Sequence, residues 1–215
     1  LTSSYDKQHY LRDWASSILQ QDYRPLRVVF VDDSSERSDA NLVVSLAGLF
    51  KQKGIQLRVI RNLHRCNCGT SYRIAHDHAI GDFFGVLDAD DMLLPGAVEM
   101  VCKVYQYIPS IAYVYTQFQI CDTKMTLLKP GFCTCPPPGK SLLDLGIDRM
   151  HAFSHWRTFS TRLSNPKKIW KEGLKCAVDK YMAYRLEEMG YGAFFNRICY
   201  SYRQSVKNSI SLVER

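Results

Sequence analysis

The stretch Gly81-Asp82-Phe83-Phe84-Gly85-Val86-Leu87-Asp88-Ala89-Asp90-Asp91 decides the fold. Phe83 to Leu87 is an apolar run of strand length, and carboxylates follow it at once. The same grammar occurs earlier, where Val28-Val29-Phe30-Val31 runs into Asp32-Asp33. Around these two runs the periodicity alternates. Tyr10, Leu11, Trp14, Ile18 and Leu19 fall at helical spacing, with Asp6 placed to cap the start. Leu42, Val43, Leu46, Leu49 and Phe50 mark a second helix closed by Gly54, and Ile55 to Ile60 reads as a strand. A helix is predicted from about Thr70 to Ile80, another from Pro95 to about Tyr107, and a strand from Ile111 to Gln117. Such alternation builds an α/β, mostly parallel sheet covered by helices on both faces.

In open sheets of this class, ligands bind outside the carboxyl ends of the strands. Five carboxylates gathered there repel one another unless a cation neutralises them, and oxygen donors of this kind suit Mg²⁺ or Mn²⁺. The competing reading is local capping, by Asp33, Ser34 or Ser35 before the second helix and by Asp91 before the helix at Pro95. Two acidic clusters at strand ends, one of them a D-x-D, favour a cation carrying a nucleotide diphosphate. A third acid, Asp179, opens a helix predicted to reach Met189, where capping is again the competing role.

The pattern breaks after the strand at Ile111. Lys129 to Lys140 holds four prolines and two glycines and reads as a loop. A short helix near Leu142, an irregular stretch from His155 to Phe159 and a strand near Phe194 to Ile198 follow. The last third reads as an addition supplying a second binding surface to the same domain.

The chain has 215 residues, 46% of them apolar and 23% charged, enough to bury a core without staples. A net charge of +7 favours anionic partners, but no basic stripe interleaved with aromatics appears, which argues against nucleic acid. The longest apolar runs are strand-sized, so no membrane span is expected. Eight cysteines include C-x-C pairs at Cys66 and Cys68 and at Cys133 and Cys135, a spacing that structural zinc sites do not use. They read as free thiols.

Taken in order, Ser4-Tyr5-Asp6-Lys7, VDDSS at 31–35 and GDFFGVLDADD at 81–91 resemble the family 2 glycosyltransferases with the GT-A, Rossmann-like fold. His155-Trp156-Arg157-Thr158-Phe159, AVD at 177–179, NRICY at 196–200 and NSIS at 208–211 resemble, more narrowly, bacterial chondroitin and hyaluronan synthase domains. The resemblance implies a single domain over 1–215. Residues from about 1 to 120 would bind the nucleotide sugar and those from about 121 to 215 would serve the acceptor. The family's first strand ordinarily precedes the Ser-Tyr position, so that strand is expected to be missing. Ser3, Ser4, Tyr5, Asp32 and Asp33 would hold the nucleotide base, Arg73 would contact the nucleotide, and Asp88 would reach the ribose or the metal. Asp90 would ligate Mn²⁺ or Mg²⁺ with Asp88, and Gln204 stands where relatives place a metal-binding histidine. Asp179 would be the general base of an inverting transfer, with His155, Trp156 and Arg157 lining the acceptor side.

The implied partners are a nucleotide-sugar donor of the uridine diphosphate kind and a glycan or lipid-linked acceptor. The expected setting is the cytoplasm, with peripheral attachment at the inner face of a membrane allowed. Two other functions remain open at this point. A nucleotidyltransferase would need a Gly-rich basic phosphate loop after its first strand, and none is found. A non-catalytic glycan-binding or assembly domain draws support from Gln204.

Overall fold

A computed structural model of the chain describes residues 1–141, 144, 153–163, 165–174 and 177–204. The short helix expected near Leu142 and the NSIS segment lie outside the described residues. Strands β1 (Thr2–Ser4), β2 (Leu26–Asp32) and β3 (Ile55–Arg61) form a parallel sheet in the order β1-β2-β3. Their register sets Ser4, Asp32 and Arg61 side by side at the carboxyl edge. β1 is three residues long and contains Ser3 and Ser4.

The strand at the centre of the sequence reading is β4 (Phe83–Val86). It lies beside the start of β1, where the Leu1 amine donates to the Gly85 carbonyl at 2.6 Å and the Leu87 N–H donates to the Leu1 carbonyl at 3.0 Å. Beyond β4 the sheet is mixed. It runs β4, β8 (Arg157–Ser160), β6 (Tyr113–Cys121), β9 (Gly192–Arg203) and β5 (Met92–Leu93), with β7 (Leu127–Pro130) paired to β6. β8 is antiparallel to both β4 and β6, while β6 and β9 are parallel.

The structure corrects the irregular reading from Arg157 onward, where β8 begins, while His155 and Trp156 lie in a bend before it. All four residues of β8 are buried, so no inside–outside alternation marks the strand, and its Thr158 is paired internally. The Thr158 hydroxyl meets the Tyr105 hydroxyl at 3.0 Å and donates to the Val114 carbonyl at 2.8 Å.

The helices are α1 (Leu11–Leu19), α2 (Asp39–Ser45), α3 (Ala47–Gln52), α4 (Asn67–Asp77), α5 (Ala97–Tyr107), α6 (Pro166–Ile169) and α7 (Val178–Glu187). Leu11, Trp14, Ala15 and Ile18 bury one face of α1, and Trp14 meets Phe30 of β2 edge-on at 5.2 Å. Asp6 does not cap α1. Tyr10 occupies the cap position without a side-chain bond, and Asp6 sits in a left-handed turn where it accepts from the Glu36 N–H.

Ser38, not Asp33, caps α2. Asp91 does not cap α5 either, because that helix starts after Gly96 in a left-handed conformation (φ +74°). α4 begins at Asn67, three residues ahead of the expected Thr70, because Asp33 accepts from the Cys66 and Asn67 N–H groups at 2.8 Å each. That carboxylate satisfies helix-start amides from another strand end, a long-range contact that local sequence does not display. No helix among the described residues is long and apolar enough to cross a membrane.

Candidate active site

The site is built where the ends of β1, β2 and β4 meet β8, β9 and the start of α7. Asp32 and Asp33 were expected to face the crevice with the other acids, but both are buried and turned toward their own backbone. Asp32 accepts from the Ser35 and Ala40 N–H groups, at 2.8 and 3.0 Å. Asp33 accepts from the Asn62 side-chain amide at 2.8 Å as well as from Cys66 and Asn67. The two carboxylates therefore brace the segments 33–40 and 62–67 that frame the carboxyl edge. Ser3 and Ser4 lie on β1, and the Ser4 hydroxyl donates to Asp39 at 2.5 Å. The Tyr5 ring lies under the Arg65 guanidinium, 3.9 Å from ring centroid to Cζ.

Three acids follow β4, each in a different environment. Asp88 accepts from the Tyr72 hydroxyl at 2.5 Å, and its other oxygen lies 3.7 Å from the Arg157 guanidinium. Asp90 is partly open, and its carboxylate meets the Lys7 ammonium at 2.6 Å. Asp91 is buried and accepts from the Tyr200 hydroxyl at 2.7 Å and from the Arg203 N–H at 2.6 Å. Burial, reinforced by Asp90 and Asp88, pushes the Asp91 carboxyl well above the usual carboxylate range. Arg203 also fixes the run from behind, donating from Nε to the Asp90 carbonyl at 2.6 Å and from a terminal nitrogen to Asp13 at 2.8 Å.

Arg157 is buried at the head of β8. One terminal nitrogen lies 3.7 Å from Asp88 and the other 3.6 Å from Asp179. Burial opposes its charge, but Asp88 and Asp179 outweigh that and raise its pKa. Asp179 stands in the first turn of α7, whose cap residue is Ala177, and it remains half exposed. Its carboxylate thus faces the site.

His155 and Trp156, expected to line the acceptor side, are both buried. The His155 ring stacks on Tyr200 at 4.5 Å and on Tyr202 at 5.3 Å. Burial, then the Arg157 charge, holds its pKa well below the usual histidine range, so it is neutral. Trp156 packs against Gly85, where an added Cβ would come within 2.5 Å of the indole. Arg73 lies on α4 and pairs with Asp77 and Glu172 at 2.7 Å each, which ties it to neighbouring surface acids. Gln204 follows β9, is exposed, and is fixed by its backbone N–H donating to the Cys121 carbonyl at 2.8 Å.

Among the described residues, Asp88, Asp91 and His155 form one group whose ligand atoms lie within 4.8 Å of one another. Carboxylate and imidazole donors suit Mn²⁺ by type. Asp91 and His155 are buried and already engaged, whereas Asp88 and Asp90 are partly exposed, so those two acids best fit a hard divalent cation arriving from solvent. Free thiols are found at Cys66, Cys68, Cys102, Cys121, Cys133, Cys135 and Cys199, and none of them belongs to that group. Sequence reasoning missed Lys7, Tyr72, Tyr200 and Arg203. Lys7 stands within the quoted Ser4-Tyr5-Asp6-Lys7 stretch, but only the folded turn shows which acid it meets.

Comparison with known proteins points the same way. The model of the glycosyl transferase family 2 matches residues 1–158. A chondroitin synthase of Escherichia coli is 27% identical over 198 residues, covering 92% of this chain and 27% of that protein. The chain thus spans about a quarter of the length of that curated relative. Among solved structures, S. aureus TarS 1–349 in complex with UDP-GlcNAc superposes with a TM-score of 0.78 at 18% identity, covering 98% of this chain and 59% of that one. The mannosyltransferase PcManGT from Pyrobaculum calidifontis, in complex with GDP-Man and Mn²⁺, gives 0.62 at 18% identity, covering 95% and 55%. These likenesses carry the GT-A fold.

Proposed function

Since the chain belongs to glycosyl transferase family 2, we propose that it moves a sugar from a uridine diphosphate donor onto a hydroxyl of a glycan acceptor, inverting the anomeric centre. The single observation that carries this reading is Arg157, buried between Asp88 on the donor strand and Asp179 on the acceptor-side helix. It relates the proposed donor-binding acid to a half-exposed carboxylate able to act as base.

Asp179 takes the proton of the acceptor hydroxyl while that oxygen forms its bond to the anomeric carbon. The bond from that carbon to the diphosphate oxygen breaks in the same step, and the nucleoside diphosphate leaves with the electron pair. One displacement inverts the centre. Asp90 and Asp88 would hold a divalent ion, which would neutralise the diphosphate charge. The protein's own work is orientation: Asp32 and Asp33 brace the loops, Arg203 and Tyr200 fix the acidic run, and Arg157 places Asp179. Lys7 and the net charge of +7 favour an anionic donor. A lipid-linked acceptor and peripheral attachment at an inner membrane face go with this reading and rest on the cationic balance alone.

The test is a screen of nucleotide sugars for donor hydrolysis, with Mn²⁺ and with chelator. Release of UDP that requires the metal is expected, with UDP binding tighter than GDP in calorimetry. Equal or reversed affinities contradict the uridine assignment. A glycan-binding domain without turnover is favoured by Gln204 alone, and binding without hydrolysis of any donor would support it.

A further inference from the structure

We infer that Lys7 is the site's built-in cation, neutralising Asp90 until a metal-borne donor arrives and then engaging that donor's diphosphate. The inference rests on the donor-binding reading above and concerns how the same site is regulated.

The turn after β1 is built to deliver this side chain. Asp6 adopts a left-handed conformation (φ +52°), its N–H donates to the Ser35 hydroxyl at 3.0 Å, and its carboxylate accepts from the Glu36 N–H at 3.0 Å. The Lys7 N–H donates to Asp39 at 2.9 Å, and the same carboxylate oxygen accepts the Ser4 hydroxyl. Asp39 is fully buried, so the Lys7 backbone is pinned to an internal anchor. From there the ammonium reaches Asp90 at 2.6 Å.

An ammonium has three donors, and Asp90 uses one. A divalent ion binding alone at Asp90 competes with Lys7 for one carboxylate and sets two cations side by side. An ion arriving with a diphosphate brings phosphate oxygens that Lys7 can take in exchange. Lys7 therefore disfavours the lone metal and favours the metal–diphosphate pair, which is a coupling free energy between two ligands.

The experiment compares parent, Lys7→Gln and Lys7→Arg by calorimetry with Mn²⁺ alone and with UDP at saturating Mn²⁺. Lys7→Gln is expected to bind Mn²⁺ alone about threefold tighter or more, as suits loss of one partly exposed ion pair. It should bind UDP about tenfold more weakly, as suits loss of a charge-assisted contact. Lys7→Arg, which keeps the charge, should stay within about twofold of the parent in both. If Lys7→Gln binds lone Mn²⁺ no tighter, or UDP no more weakly, the inference is overturned while the donor reading stands. A parent that binds neither ligand overturns the donor reading and this inference with it.

Discussion

The guanidinium of Arg157 stands between the carboxylates of Asp88 and Asp179, at 3.7 and 3.6 Å, and it is the buried member of the three. Distances of that size are charge interactions without a formed hydrogen bond. The fork is therefore placed to hold two acids apart at a fixed spacing and to lower their mutual repulsion. Lysine at this position would keep the charge and lose the planar fork that addresses two acids at once. Arg157→Lys should fold and bind UDP near the parent affinity, yet lose transfer by about tenfold or more through misplacement of Asp179. Initial rates with saturating donor check this; an unchanged rate would remove Arg157 from the positioning of the base.

Asp33 should matter to the fold more than to direct contact with a nucleotide. It satisfies the side-chain amide of Asn62 and two N–H groups at the start of α4. Asp33→Ala leaves these donors unpaired, and each costs about 1–3 kcal/mol when buried. Denaturant unfolding should show a loss of at least about 2 kcal/mol. A loss of UDP affinity without loss of stability would instead restore direct nucleotide contact as its main role.

Much of the fold was legible because hydrophobic period and acid placement agree at β2 and β4. The alternation of strands and helices over the first 120 residues followed largely from apolar spacing, although the single helix read over Leu42 to Phe50 is two, α2 and α3, divided at Leu46. The misreadings share one physical cause, which is pairing across long sequence distance. Asp33 caps a helix that begins more than thirty residues later, and β8 is a polar-looking strand whose Thr158 hydroxyl is satisfied by Tyr105 and Val114. In the site, strand-end spacing pointed to Asp88 and Asp90 and the family resemblance to Asp179, but neither told which acids face solvent. Asp32, Asp33 and Asp91 carry the same carboxyl group and are buried by partners that local sequence does not name.

Acid should loosen the segment that carries α6. The Trp170 indole donates to His76 Nδ1 at 3.0 Å, and burial lowers the His76 pKa from 6.5 to about 4. The folded state thus favours neutral His76, while the unfolded chain takes up a proton below 6.5. Stability from this group is complete above about pH 6.5 and falls as the pH drops from 6.5 toward 4. Thermal melts across that window should show the decline, and His76→Phe should flatten it. A parent melting point independent of pH between 6.5 and 4 would contradict this assignment.

Asp179→Asn separates the proposed role of Asp179 as the base from a structural one. Asparagine keeps the shape of the side chain and removes its basicity, and nothing caps α7 through this carboxylate. The variant should melt near the parent, bind UDP with Mn²⁺ normally, and transfer sugar about 10² to 10⁴-fold more slowly, the range typical of acid–base catalysis. Transfer at the parent rate, measured with donor and acceptor saturating, would contradict the account and return the search for a base to the other acids near α7.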